Sequence, residues 1–238
     1  MGLARLASDR GGSAASGMTR GPQRGWIVAI LGAESTGKTT LAHQLAARLE
    51  AEGRRCCVIE ETLREFCDRE GRTPRIDEQA AIAAEHSRRI EAAARDHDIV
   101  IADTTALQTA VYSEKVFGDR SLYGAAGAWH AGAVVTTLLT ALDLPWQADG
   151  LQRDGPQVRE PVDALLRAAL QRAGAPYAVI GGAGLQRAAH ALAALHRTLD
   201  LGHEADDPRP ASAQTKRWQW LCERCGDVDC ERHLLPRR

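Results

Sequence analysis

Continuous apolar runs recur along the chain and alternate with longer segments in which apolar residues return at helical spacing. The runs lie at residues 26–31, 56–60, 98–103, 133–143 and 177–181. Unbroken apolar runs are typical of strands buried on both faces, whereas segments such as 39–50 and 185–199 predict amphipathic helices. The alternation predicts an α/β fold in which helices cover both faces of a five-stranded, mainly parallel sheet, in three α/β/α layers.

The two ends of the chain do not follow this pattern. Residues 1–24 are rich in Gly, Ser and Arg, a composition that predicts a disordered leader. After the α/β domain, expected over residues 25–201, residues 202–215 predict a linker containing Pro and Asp. Residues 216–238 differ again and form a small cysteine-rich tail.

The composition limits which binding partners and which cellular compartment we expect for the protein. Thirty Lys and Arg balance 31 Asp and Glu, for a net charge of -1, so we expect neither a nucleic acid nor a membrane as partner. No apolar run reaches the roughly 18 residues that a membrane span requires. The six cysteines, two of them adjacent, do not suggest a disulfide framework, which favours a reducing, cytoplasmic setting.

The strongest motif is GAESTGKT at residues 32–39, which matches the Walker A pattern of a P-loop. It follows the first predicted strand and opens the first predicted helix, as a P-loop must. Its glycines allow successive backbone N–H groups to face one anion, while Lys38 reaches the β- and γ-phosphates and the Thr39 hydroxyl binds Mg²⁺. The sequence therefore predicts ATP and Mg²⁺ as ligands. The predicted nucleotide-binding residues are Gly32, Ala33, Glu34, Ser35, Thr36, Gly37, Lys38, Thr39 and Thr40.

An acid ends the third predicted strand, at the sheet edge where parallel sheets bind their ligands. Asp103 could hold the hydration shell of Mg²⁺ or accept a proton from an attacking hydroxyl. The alternative is that Asp103 caps the helix that follows, and the two roles are compatible.

Four segments together are similar to a known family. They read GAESTGKTTL, IEETLREF, IVIADTTALQTAVYSEKVFGD and LDLPWQADGLQRD. Over about residues 26–200 the chain resembles the ribosylnicotinamide kinase domain of NadR-type proteins, and the block from Asp143 to Gly150 is the most specific part. The resemblance implies a nucleoside- and nucleotide-kinase-like fold with a lid over the phosphates. It also implies γ-phosphoryl transfer from ATP to the 5′-hydroxyl of nicotinamide riboside, giving nicotinamide mononucleotide. We do not expect the repressor and adenylyl-transfer activities of NadR to carry over.

The same segments supply candidate acceptor contacts. Glu61 and Arg64 follow the second strand and are candidate substrate-binding residues. A carboxylate there could bind ribose hydroxyls or orient the acceptor hydroxyl, the alternative being a solvated helical face with internal salt bridges. Trp146 could stack on a flat cationic ring, or simply pack on the core. Asp149 could pair with the ribose or with the cation.

The lid implied by the resemblance carries two arginines. Arg153 is the predicted catalytic arginine, completing a set with Lys38 and Asp103, and Arg159 is a second candidate. Both could instead be ordinary surface arginines. The loop from Gly181 to Gly184 could border the adenine or be a plain turn.

The tail contains four residues with zinc-ligand chemistry in a compact Cys-x2-Cys-x4-Cys-x2-His spacing. Cys222, Cys225, Cys230 and His233 could form a structural zinc site, the alternative being a disordered tail with free thiols. A protein partner for the tail stays open. The leading hypothesis is thus an ATP-dependent small-molecule kinase, against a P-loop ATPase or a nucleotide-sensing regulator that acts through this tail.

Overall fold

The computed structural model describes residues 24–147 and 155–199, and in these ranges five β-strands alternate with seven α-helices. The strands are β1 (Trp26–Leu31), β2 (Cys56–Ile59), β3 (Ile99–Asp103), β4 (Val134–Thr140) and β5 (Tyr177–Ile180). The helices are α1 (Lys38–Ala51), α2 (Thr62–Glu70), α3 (Gln79–Ala93), α4 (Ala106–Phe117), α5 (Tyr123–Ala133), α6 (Arg159–Ala173) and α7 (Gly184–Leu199). Short 3-10 turns, Ile76–Glu78 and Pro156–Val158, precede α3 and α6.

The five strands form one parallel sheet in the order β2-β3-β1-β4-β5, with β1 at its centre. Asp103 pairs in register with Ile30, and Leu139 pairs with Leu31. The carboxyl ends of β3, β1 and β4 therefore meet at one edge of the sheet, where ligands bind in open α/β sheets.

Helices cover both faces of this sheet. On one face α1 and α7 pack on Val28 and Ile30, and α1 contributes Leu41, Leu45 and Leu49 at intervals of four residues. Buried residues of α4 and α6 cover the other face together with Leu31 and Leu139. Each fully buried leucine of this kind contributes about 1.5–3 kcal/mol. The predicted three-layer fold with a five-stranded parallel sheet is confirmed.

One predicted strand has different bounds in the structure, and the start of helix α3 has a clear local cause. The fourth strand begins after α5 and ends at Thr140, so that residues 141–143 leave the sheet and reach the site described below. Helix α3 begins at Gln79 because residues 76–78 form a 3-10 turn, in which the Glu78 carboxylate accepts a hydrogen bond from the Arg75 N–H at 2.8 Å.

The predicted leader lies almost wholly outside the described residues, and the linker and tail lie entirely outside them, so their boundaries stay predictions. Within residues 24–147 and 155–199, no helix is both long and apolar enough to cross a bilayer.

Candidate nucleotide-binding and active site

The loop between β1 and α1 requires glycine at its two ends. A Cβ atom at Gly32 would lie 2.0 Å from Thr140 Oγ1, so no larger residue fits between the loop and the end of β4. Gly37 caps α1 with a φ of 76°, in the left-handed region that L side chains rarely adopt. The loop can therefore curl around an anion at the positive end of α1.

Side-chain hydrogen bonds hold this loop in shape. The Gln108 side chain, from α4, donates to Gly32 O at 2.7 Å and accepts from Gly32 N at 3.2 Å. The Thr36 hydroxyl donates to Ala33 O at 2.8 Å and accepts from Thr140 Oγ1 at 2.7 Å. The sequence analysis did not identify Gln108 or Thr140, which become recognisable as loop supports only once the strands are aligned.

The loop opens onto a cleft of about 630 Å³, within the usual range for small-ligand sites. The Lys38 ammonium lies 2.9 Å from Ala33 O and faces this cleft. The cleft is lined by Ser35, Thr36, Gly37, Lys38, Thr39, Thr40, Leu41, Gln44, Arg64, Leu144, Pro145, Gln147, Gly184 and Arg187.

Asp103 stands behind the first turn of α1. Its Oδ2 accepts a hydrogen bond of 2.5 Å from the Thr39 hydroxyl, while its Oδ1 is buried with no hydrogen-bond partner among the described residues. A hydroxyl and a carboxylate with a spare oxygen suit a hydrated Mg²⁺, so these two residues fit the ion that the P-loop implies. The predicted capping role of Asp103 is wrong, because Thr105 caps α4 by accepting from Leu107 N at 3.3 Å.

Glu61, just beyond β2, lies near Asp103 and Lys38. Its side chain is only 12% exposed, and burial raises the pKa of its carboxyl group, an effect that the Lys38 charge partly offsets and the Asp103 charge reinforces. Glu61 therefore does not belong to a solvated face. Arg64, whose Nε lies 3.8 Å from Glu61 Oε2, is half-exposed and lines the cleft.

Glu34 adds a third acid to this group. Its Oε2 is buried without a partner in the described part of the chain, and its charge acts on Glu61. Burial, together with the neighbouring Glu34 carboxylate, raises the pKa of Tyr112 well above its ordinary value. Tyr112, which the sequence analysis did not single out, thus stays a neutral hydroxyl beside the acids.

The segment after β4 forms another wall of the cleft. Leu144, Pro145 and Gln147 line it, and Gln147 O accepts a 2.5 Å hydrogen bond from the Ser35 hydroxyl. Trp146 is half-buried and does not line the cleft, so its stacking role stays a prediction.

Of the predicted lid and acceptor residues, Asp149 and Arg153 lie outside the described residues. Arg159 is described and is only 8% exposed, so it is not an ordinary surface arginine. Its Nη1 donates to Leu144 O at 2.9 Å, while its Nε and Nη2 are buried and have no partner in the described ranges.

Arg187 joins the P-loop to the far side of the cleft. This buried arginine of α7 donates to Thr36 O and to the Asp143 carboxylate, and to Gly182 O at 2.7 Å. Asp143 also accepts from Gly182 N at 2.5 Å. Since Gly184 lines the cleft, the glycine loop borders the pocket as well as turning the chain.

The four predicted zinc ligands of the tail lie outside the described residues, so that site stays a prediction. Residues 24–147 and 155–199 contain no group of three or more His, Cys, Asp or Glu arranged to hold a metal ion. Magnesium bound to nucleotide needs fewer protein ligands, because phosphates and water supply the others.

Comparison with known proteins places this geometry in context. The sequence model of a family described as AAA domain matches residues 27–187. No curated protein matches the chain.

Solved structures show the same fold. The NadR protein in complex with NR aligns with a TM-score of 0.62 at 20% identity, over 77% of this chain and 54% of that one. The NadR protein in complex with NAD and AMP-PNP gives 0.59 at 19%, over 77% and 52%. A deoxyadenosine kinase from M. mycoides, with the products dCMP and dCDP bound, gives 0.50 at 12%, over 72% and 99%. The chain therefore has a NadR-like P-loop kinase fold, and it spans about half the length of the NadR chains.

Proposed function

The chain belongs to the AAA-domain family that its sequence matches, and from this premise we propose that it is an ATP-dependent kinase of a small-molecule hydroxyl. Nicotinamide riboside is the proposed acceptor, with nicotinamide mononucleotide as product. Support for this acceptor comes from the sequence segments shared with NadR-type kinase domains and from the NadR-like fold.

The observation that carries the kinase proposal is the pair of largely buried carboxylates behind the P-loop. Phosphoryl transfer needs a cradle for the phosphates and a group that orients the attacking hydroxyl. A P-loop alone supplies the first. Here Glu61, largely buried just beyond β2 and near both Lys38 and Asp103, can supply the second, while Asp103 at the end of β3 is placed for Mg²⁺.

Each residue has a distinct proposed role. The P-loop N–H groups and Lys38 bind the phosphates, and Thr39 and Asp103 hold Mg²⁺, which when bound offsets phosphate charge. Glu61 accepts the hydrogen bond of the acceptor hydroxyl and orients it. Arg64 borders the acceptor, with Trp146 and Asp149 as further proposed contacts, and Arg153 stabilises charge on the transferred group.

The test is ADP release from ATP and Mg²⁺ with and without nicotinamide riboside, with mass spectrometry detecting the mononucleotide. We expect riboside-dependent ADP and an equal amount of mononucleotide. Lys38→Ala should abolish both, whereas Lys115→Ala, on the exposed part of α4, should change neither.

The match to an AAA-domain family favours one other candidate, an ATPase that works on a partner. ADP release that depends on Lys38 and is the same with and without riboside would support this candidate and reject the kinase with this acceptor. ADP release together with phosphorylation of a different nucleoside would support the kinase proposal and show that only the proposed acceptor is wrong.

A further inference from the structure

The turn that carries Asp103 is strained. Thr104, the next residue, has a φ of 71°, and the only other described non-glycine residue with positive φ is Ser35 in the P-loop. A non-glycine residue in this region is strained and persists only where its surroundings enforce it. Thr105 then returns to extended backbone and caps α4. Neighbouring residues must therefore hold this strained turn. The shape of this turn also fixes the position of Asp103.

A buried histidine from α3 holds one side of the turn. His86 is 2% exposed, and its Nε2 lies 3.1 Å from Thr104 O, while its Nδ1 lies 2.9 Å from the Thr62 hydroxyl. A carbonyl oxygen only accepts, so Nε2 carries the proton and Nδ1 accepts from Thr62. Thr62 directly follows Glu61, and Thr104 directly follows Asp103. The His86 ring therefore connects the two residues that come after these acids.

A second buried histidine, from α5, holds the other side. His130 is fully buried, with Nδ1 3.0 Å from the Thr105 hydroxyl and Nε2 2.8 Å from Thr137 Oγ1 on β4. The Thr105 hydroxyl oxygen already accepts from Leu107 N, so its proton is free for His130. The turn after Asp103 is thus fastened to α3 on one side and to α5 and β4 on the other.

We propose that His86 and His130 are positioning residues for the magnesium-nucleotide site, which they serve by holding the strained Asp103–Thr105 turn. Both ring nitrogens of His86 contact residues that directly follow a site acid, and His130 contacts Thr105 at the end of the same turn. This inference rests on the proposed role of Asp103 and Thr39 toward Mg²⁺, and it does not depend on the acceptor.

The experiment replaces one ring nitrogen at a time in the full chain. In His86→Gln the side-chain amide reaches the place of Nε2 and can still donate to Thr104 O. In His86→Asn the shorter side chain reaches the place of Nδ1 and can still contact Thr62, but loses Thr104. Titration calorimetry with AMP-PNP, in excess Mg²⁺ and in EDTA, gives for each variant the factor by which Mg²⁺ tightens binding.

We expect His86→Gln to keep this factor within about threefold of the wild type and His86→Asn to lose about tenfold, the effect of one hydrogen bond. The affinity in EDTA should be equal in all three proteins, which a general loss of folding would not produce. Any result in which His86→Asn keeps as much of the magnesium effect as His86→Gln overturns the proposal.

A second variant covers the case in which His86→Asn fails to fold. Thr62→Val keeps the volume but removes the donor to Nδ1, so the ring loses the hydrogen bond that orients it toward Thr104 O. An undiminished magnesium factor in this variant also overturns the proposal. Failure of the acceptor assay would reject the proposed kinase and leave these binding results unaffected, so the two failures are distinguishable.

Discussion

Single residues set how closely the phosphate loop can approach its supports. Gly32 lies against Thr140, and the Thr140 hydroxyl in turn donates to Thr36. The loop is therefore shaped from behind by β4 as well as by its own sequence. Changes at this contact should alter nucleotide binding through the shape of the loop.

Gly32→Ala is the direct test of that contact. The added methyl group would overlap Thr140 Oγ1, so we expect a loss of about 1–3 kcal/mol in stability and weaker nucleotide binding. Thermal unfolding and AMP-PNP titration measure the two effects. Gly132→Ala in α5, where a Cβ meets nothing within 4 Å, is the matched control and should bind nucleotide normally.

Glu61→Gln is expected to separate activity from stability. Because burial raises the pKa of Glu61, kcat/KM for the acceptor should fall on the acid side of its pH profile at a pH above 4.5. The variant should lack this fall and should be about 10²-fold slower.

The same change should affect stability. A carboxyl group with a raised pKa binds more protons in the folded protein than in the unfolded chain, so it lowers stability as pH rises above 4.5 through the raised pKa. The variant should therefore unfold at a higher temperature at pH 7.

Glu65→Gln is the control for this change, since Glu65 lies on α2 four residues on and pairs with Arg89 on the surface. An acid limb that persists unchanged in Glu61→Gln would show that another group orients the acceptor.

The residues of the site fall into two groups, those that the local sequence pattern predicts and those that only tertiary contacts reveal. The P-loop, Asp103 and Glu61 could be predicted because each follows an apolar strand, and the ends of parallel strands meet at one edge. His86, His130, Gln108 and Arg187 could not, because each acts through a contact with a residue distant in the chain. A buried histidine on an apolar helix face has the same local pattern whether or not it holds a turn.

Among the elements that follow the P-loop in sequence, α7 contributes a side chain that contacts the P-loop itself. Its residue Arg187 contacts Thr36 O in the P-loop and the Asp143 carboxylate after β4, and so joins α7 to two loops of the cleft. The sequence predicted this helix and the adjacent glycine turn. The shortening of β4, which places Asp143 within reach of Arg187, is a tertiary effect that the apolar run to residue 143 conceals.

Arg187→Met should detach α7 from the loop. The substitution leaves the Thr36 and Gly182 carbonyls and one Asp143 oxygen without this donor, so we expect a loss of about 2–4 kcal/mol and at least about tenfold weaker AMP-PNP binding. Chemical denaturation and calorimetry measure these changes. Arg197→Met, exposed on the same helix, should leave both near the wild type, and an equal effect there would contradict the expectation.

For the whole molecule, His130 should make stability depend on pH. Burial lowers its pKa to about 4 from 6.5, so the folded protein binds fewer protons than the unfolded chain between those values. Stability is then fully present above pH 6.5 and is lost as pH falls toward 4, by about 3 kcal/mol from this residue.

Urea unfolding at several pH values, in the wild type and in His130→Gln, isolates this contribution as a difference between two curves. The variant should lack the extra loss between pH 6.5 and 4. Lys115→Gln, at an exposed position on α4 and with no histidine involved, should follow the wild-type curve.

The central place of β1 also governs when the site can form during synthesis. The P-loop is synthesised before two of its supports, because Thr36 contacts Thr140, 104 residues later, and Arg187, 151 residues later. At about 5–20 residues per second, the last of these partners follows on the order of ten seconds after the loop. A nascent chain that ends before β4 thus carries the complete phosphate motif without the strand that shapes it.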